Sequence, residues 1–118
     1  MTATLPKPPS LNHYWRFTSK PFPHWYISAQ GKAWREEAGW ILKAAQGRNK
    51  TITGEVGVTL DLYLCRHTDL DNFAKIILDT LTTSKVIEDD KQVASIQLRR
   101  FKVPHMVDER LELELTIL

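Results

Sequence analysis

The stretch Val56-Gly57-Val58-Thr59-Leu60-Asp61-Leu62-Tyr63-Leu64-Cys65-Arg66-His67-Thr68-Asp69-Leu70-Asp71-Asn72-Phe73-Ala74-Lys75-Ile76-Ile77 changes its hydrophobic period part-way along. Up to Cys65, Val56, Val58, Leu60, Leu62 and Leu64 alternate with Gly57, Thr59, Asp61 and Tyr63, the two-residue period of a strand buried on one face. From about Leu70 to Thr83 the apolar residues are Leu70, Phe73, Ile77 and Leu81, joined by Ala74 and Leu78, and the spacing is that of a helix. A strand feeding directly into an amphipathic helix commits the chain to a sheet with helices packed on it.

The flanking segments extend this frame. Ser28 reads as the N-cap of a helix reaching about Gln46, with Trp34, Ala38, Ile41, Leu42 and Ala45 on one stripe, a mostly basic opposite side (Lys32, Arg35, Glu36, Lys43), and Gly47 as its stop. Residues 93 to 103 read as a strand with Ala94, Ile96 and Leu98 on one face, and Arg99, Arg100 and Lys102 at its far end. Leu111, Leu113, Leu115 and Ile117 alternate with Glu112, Glu114 and Thr116, a clean strand pattern. The proline-rich opening, Leu5-Pro6-Lys7-Pro8-Pro9, suits a short strand ending in a stiff loop, and residues 13 to 27 read as a long aromatic and basic connection. The expected fold is mixed α+β (α/β in the broad sense): a single domain, residues 1–118, with a mixed sheet of about four strands and two main helices. The last two strands are expected to pair antiparallel across residues 104 to 110.

The 118 residues, 42% hydrophobic and 25% charged, suffice for one domain with a modest core. No run approaches the roughly 18 apolar residues of a membrane span, and the first residues lack the pattern of a secretory signal, so a soluble cytoplasmic protein is expected. The lone Cys65 and the scattered His13, His24, His67 and His105 argue against a disulfide framework or a zinc finger. There is no P-loop and no Gly-x-Gly-x-x-Gly, which removes the usual nucleotide-cofactor signatures. The net charge of +2 hides a split: residues 1 to 50 carry eight Lys/Arg against two acids, and residues 51 to 118 carry eight against twelve. A basic half attracts polyanions, and an acidic half can hold cations.

Asp69 and Asp71 stand at the junction between strand and helix. On a regular helix, residues two apart point roughly 200° from each other, so the two carboxylates can converge only if Asp69 precedes the helix and Asp71 opens it. Such a pair repels unless a cation neutralises it, and Mg²⁺ (or Mn²⁺) suits oxygen ligands of this kind. The same residues also admit a structural role, with Thr68-x-x-Asp71 as a capping-box variant and Asp71 with Lys75 as an i,i+4 ion pair worth a few tenths of a kcal/mol. Asp89 and Asp90 add a second acidic pair in a turn after the same helix, and Asp89-Asp90-Lys91 has the D-x-K spacing of many metal-dependent nucleases.

Five motifs in order carry a family resemblance: Leu5-Pro6-x-Pro8-Pro9-Ser10-x-Asn12, Ser28-Ala29-x-Gly31-x-Ala33-x-Arg35, Asp69-Leu70-Asp71-Asn72-x-x-Lys75, Asp89-Asp90-x-Gln92-Val93 and Arg110-Leu111-Glu112-Leu113. Over nearly its whole length the chain resembles the RusA-type Holliday junction resolvases, homodimeric endonucleases that cut four-way DNA junctions. The resemblance implies that Asp69, Asp71 and Asp90 are metal-binding catalytic aspartates and that Lys75 is a functional lysine, with Asn72, Asp89 and Asn12 in support. It implies Mg²⁺-dependent hydrolysis of a phosphodiester by metal-activated water, with Lys75 neutralising charge on phosphate. Two symmetric nicks require two active sites, hence the dimer.

The chain departs from the family in two places. Cys65-Arg66-His67-Thr68 holds one permanent charge where members can carry a basic run, which moves the expected phosphate grip to Arg16, Arg35, Lys43, Arg66, Arg99, Arg100 and Lys102. The aromatic loop is longer than the family's, and one of its rings, Trp25 among them, is a candidate wedge at the branch point, though packing in the core or a dimer interface also suits these residues. A non-catalytic binder of branched DNA and a nuclease acting on flaps or forks are the competing functions.

Overall fold

The computed structural model describes residues 1–118, with the side chain of Asn12 outside the described set. The chain runs β1 (Thr2–Pro6), α1 (Leu11–Tyr14), β2 (Trp15–Thr18), β3 (His24–Ile27), α2 (Ala29–Gln46), β4 (Val56–Leu64), α3 (Asp71–Thr83), β5 (Val93–Lys102) and β6 (Arg110–Ile117). Single 3₁₀ turns at Asp90–Gln92 and Met106–Asp108 precede the last two strands. Four strands form a sheet in the order β1-β6-β4-β5, and β2 pairs with β3 as a separate hairpin.

β4 is the strand around which the sheet is ordered. Val56, Val58, Leu60, Leu62 and Leu64 are all buried, and β6 presents Leu115, Leu113 and Leu111 in register with Val58, Leu60 and Leu62. α2 adds Trp34, Ala38 and Leu42, and α3 adds Phe73, Ile76, Ile77 and Leu81, to the same core. The Trp34 indole N–H donates to the Pro6 carbonyl at 2.9 Å, tying α2 to β1. At the start of α2 the Ser28 hydroxyl accepts from the Gly31 N–H at 3.0 Å, as an N-cap does. Gly31 has no room for a side chain: a Cβ there would lie 2.9 Å from the Tyr14 ring, so α1 can lie directly against α2.

The two predicted helices, and the three long strands within one or two residues, are present as expected. Four expectations need correction. β5 and β6 do not pair; both flank β4, β5 parallel to it and β6 antiparallel. Burial explains the order, because β6 supplies three fully apolar inward positions and takes an inner place, whereas β5 leaves Ile96 43% exposed and sits at the edge. Residues 13 to 27 are not a loop: they complete α1 and form the hairpin, with Trp15 opposite Ile27 and Phe17 opposite Trp25. The buried face of α3 is centred on Ile76, Ile77 and Thr80 as well as Phe73 and Leu81, while Ala74 and Leu78 lie at its margin. On α2 the inward stripe ends at Leu42, and Ala45 is exposed.

A parallel β4–β5 pair cannot be joined by a tight turn, so the chain crosses over through α3. That crossover carries Asp69 and Asp71 at its start and Asp89 and Asp90 at its end. Because Leu60 is fully buried at the centre of β4, Leu60→Ala should lower unfolding free energy by about 2–5 kcal/mol in a urea titration. Leu98→Ala, on the half-buried edge, should cost clearly less; equal losses would contradict the assignment of β4 as the central strand.

Candidate active site

The backbone around Asp69 has the form that convergence of the two acids requires. The Asp69 carbonyl accepts from the Asn72 N–H at 3.3 Å and the Leu70 carbonyl from the Phe73 N–H at 3.1 Å, so Asp69 precedes the regular helix and Asp71 is its first residue. Thr68 is not the cap. Leu70 occupies that position, and no side chain among the described residues caps this end of α3. The capping-box expectation therefore fails, and the positive end of the helix dipole lies beside both exposed carboxylates with no side-chain cap.

Lys75 does not turn back to Asp71 either. Its Nζ lies 3.4 Å from Asp79 Oδ1, one turn further along α3, and 3.9 Å from Asp90 Oδ2, across the gap to the 3₁₀ turn. The ammonium is thus the link between the helix and the second acidic segment. Its side chain is 63% exposed, so these contacts hold it in place more than they stabilise the fold.

Asp90 is held by its neighbours. The Asp89 carboxylate accepts from the Lys91 N–H at 2.8 Å, and this backbone hydrogen bond lowers the Asp89 pKa below its ordinary value of 3.8. The cap is complete above that ordinary value and is lost as pH falls through the lower folded one. The Gln92 amide works in both directions: its Oε1 accepts from the Glu88 and Asp89 N–H groups at 2.8 and 2.9 Å, and its Nε2 donates to the Ile52 and Gly54 carbonyls at 2.8 and 2.9 Å. Asp89 thus shapes the turn, on a 3₁₀ segment and not on the strand that the D-x-K spacing normally occupies.

Asp90 and Asp89 border a cleft of about 280 Å³ together with Asp79, Arg35, Tyr14, Trp15 and Ile27. Burial raises the Tyr14 hydroxyl pKa, and the adjacent Arg35 guanidinium partly opposes it. Asp69 and Asp71 lie outside the lining of that cleft. Among the described residues no three of His, Cys, Asp or Glu are grouped closely enough to hold a metal ion, so Asp69, Asp71 and Asp90 are not gathered into one ligand set in this arrangement. Three close carboxylates without a cation would repel, and Lys75 takes the position beside Asp90 instead. The donor chemistry itself fits a hard divalent cation, since every candidate ligand is a carboxylate oxygen.

The other expected residues divide. Arg99 is paired with Asp61 on β4 through two hydrogen bonds of 2.7 and 2.8 Å. Arg16 on β2, Arg66 in the loop after β4, and Arg100 and Lys102 on β5 are exposed, Arg35 reaches the cleft, and Lys43 lies further along α2. Asn72 is half-buried in the first turn of α3, and the expected role of Asn12 lies outside the described residues. In the hairpin, Phe17 and Trp25 contact each other with ring centroids 5.2 Å apart, and Trp25 is 66% exposed.

The profile of the family described as endodeoxyribonuclease RusA matches residues 6–117. The chain belongs to the RusA family. It is 36% identical over 102 residues to the crossover junction endodeoxyribonuclease of Enterobacteria phage HK97, covering 85% of this chain and 82% of that protein. It is 34% identical over 115 residues to the crossover junction endodeoxyribonucleases RusA of Escherichia coli K12 and of Enterobacteria phage 82, each covering 96% of this chain and 91% of the relative. Within this RusA-family chain the sequence reading missed Asp79 and Tyr14 and gave Gln92 no role. The Lys75–Asp79 spacing was visible as an i,i+4 pair, whereas nothing local to Tyr14 marks it as a cleft residue.

Gln92→Ala removes four hydrogen bonds from the turn that carries Asp90. It should lower stability by about 1–3 kcal/mol and raise amide exchange at Glu88 and Asp89 in a hydrogen-exchange experiment. Unchanged exchange at those two amides would mean that the side chain does not hold the turn.

Proposed function

We propose that this protein is a Holliday junction resolvase, a homodimeric endonuclease that hydrolyses phosphodiester bonds at four-way DNA junctions with Mg²⁺ held by Asp69, Asp71 and Asp90. The observation that carries the reading is the position of Lys75, whose ammonium joins the helix opened by Asp71 to the turn that carries Asp90. A pure DNA-binding surface gains nothing from Asp79, Asp89 and Asp90 lining one cleft, because carboxylates repel phosphate. Family membership and crossover junction endodeoxyribonuclease relatives in phages and E. coli support the same reading.

The chain's own residues supply distinct functions. The exposed Lys75 ammonium donates to a non-bridging phosphate oxygen, where charge grows as the bond to the incoming oxygen forms. Asp79 holds that ammonium from the side away from Asp71. The field of the α3 N-terminus and the hard oxygen donors of Asp69 and Asp71 favour a divalent cation. When bound, the cation supplies positive charge to the phosphoryl group and acidifies water. Asp69, Asp71 and Asp90 would hold the cation, and with Asp90 so engaged the Lys75 ammonium would be free for the substrate.

Asp71→Asn removes one ionised oxygen ligand at an exposed position and leaves the helix intact. Nicking of a labelled mobile junction in Mg²⁺ should fall at least a hundred-fold, with junction affinity in EDTA within about three-fold of the wild type. Nicking at the wild-type rate would refute the metal-site assignment. Salt-sensitive junction binding with no nicking by the wild type, in Mg²⁺ or Mn²⁺, would refute the endonuclease.

A further inference from the structure

α2 turns one stripe away from the core. Lys32, Arg35, Gly39, Trp40 and Lys43 follow each other at helical spacing and line a groove of about 460 Å³ against Thr80, Thr83 and Ser84 at the end of α3. Through Arg35 and Thr83 the groove meets the cleft that holds Asp90. Through Lys43 and Ser84 it meets a further depression lined by Lys50 and Lys85. The three depressions share walls in sequence and form one path leading away from the acids.

The path is basic where the cleft is acidic. Lys32, Arg35, Lys43, Lys50 and Lys85 line it, with Glu36 as the single acid beyond the cleft itself. Among the described residues none of these five cations has a carboxylate within 4.0 Å, whereas Lys75 and Arg99 are both paired. The hydroxyls of the opposite wall are turned back on their own helix, Thr83 donating to the Asp79 carbonyl at 2.6 Å and Ser84 to the Thr80 carbonyl at 2.7 Å, so that wall is neutral. Lys85 is held at a φ of 66° where its carbonyl accepts from the Thr51 hydroxyl at 2.7 Å. Trp40, 70% exposed, stands among these cations in the middle of α2 and takes no part in the core. A flat ring beside unpaired lysines and an arginine is the composition of a nucleic-acid strand track, in which cations follow the phosphates and the ring stacks on a base.

We propose that the groove between α2 and the end of α3 carries the DNA strand leaving the cleavage cleft, with Lys32, Arg35, Lys43, Lys50 and Lys85 following its phosphates and Trp40 stacking on a base unpaired beside the branch point. The proposal rests on the resolvase reading and adds the direction in which one arm leaves the site. Lys32 and Lys43 are about 16 Å apart along the helix, the axial length of about five nucleotides of a duplex strand.

Gly39 provides a test that does not depend on a damaged fold. A Cβ added there meets nothing within 4 Å, and glutamate is a better helix former than glycine, so Gly39→Glu places a carboxylate in the middle of the path without destabilising α2. Affinity for a fluorescent four-way junction, read by anisotropy in EDTA across a NaCl series, should fall at least ten-fold in Gly39→Glu and rise in Gly39→Lys. The double variant Lys43→Gln/Lys50→Gln should reduce the slope of log affinity on log salt by about two. Trp40→Ala should weaken binding by about five- to a hundred-fold with an unchanged salt slope. Gly39→Glu binding the junction as the wild type does would overturn the track and leave the resolvase reading intact. A change in sedimentation mass in Gly39→Glu with unaltered affinity per protomer would overturn it in favour of an interface with a second copy. A wild type that binds no junction at all would overturn both readings.

Discussion

The parallel pairing of β4 with β5 is the constraint on which the rest of the molecule depends. Parallel neighbours must be joined by a crossover, and here the crossover is α3 with the turn behind it. Both acidic pairs sit on that connection, Asp69 and Asp71 before and at the start of the helix and Asp89 and Asp90 in the turn beyond its end. β4 can accept this arrangement because its inward residues are buried by α2 and α3 together, while β6 closes its other edge with three matching leucines.

Lys75 converts this topology into an electrostatic centre. Without a counter-charge, a helix bearing Asp71 and Asp79 and a turn bearing Asp89 and Asp90 would push apart. The ammonium lies 3.4 Å from Asp79 and 3.9 Å from Asp90, so it places a counter-charge between the two segments from an exposed position. The turn is stiffened from the other side by Gln92, whose amide is bonded at both ends. Charge on the molecule is accordingly sorted, with anions gathered at the crossover and unpaired cations along α2 and beyond it.

Local pattern made most of this legible in the sequence. Alternation along Val56–Leu64 and Arg110–Ile117 and helical spacing in Ala29–Gln46 and Asp71–Thr83 located the long elements, because each buries one face and periodicity records which. Strand order was not legible: it is set by the competition of β5 and β6 for an inner place, which compares burial across the whole sheet. The β2–β3 hairpin was missed because Pro21 and Pro23 interrupt its connection and its short strands carry aromatic residues without clear alternation. The acidic pairs stood out by their place at the two ends of a helix, and the family resemblance gave Asp69, Asp71, Asp90 and Lys75 their expected roles. Partner choice was not found, because the capping and Asp71–Lys75 readings are both local and the observed contacts of Lys75 and Gln92 cross from one segment to another.

The central claim is that the start of α3 and the turn at Asp90 act as one cation site once Lys75 releases Asp90. Titration of Mn²⁺ into ¹⁵N-labelled protein, observed by paramagnetic broadening of backbone amides, tests it directly. At substoichiometric Mn²⁺ the amides of residues 69–72 and 89–91 should broaden together, and Asp90→Asn should weaken both effects to the same degree. Broadening confined to one segment, or an Asp90→Asn protein in which residues 69–72 respond as in the wild type, would contradict it.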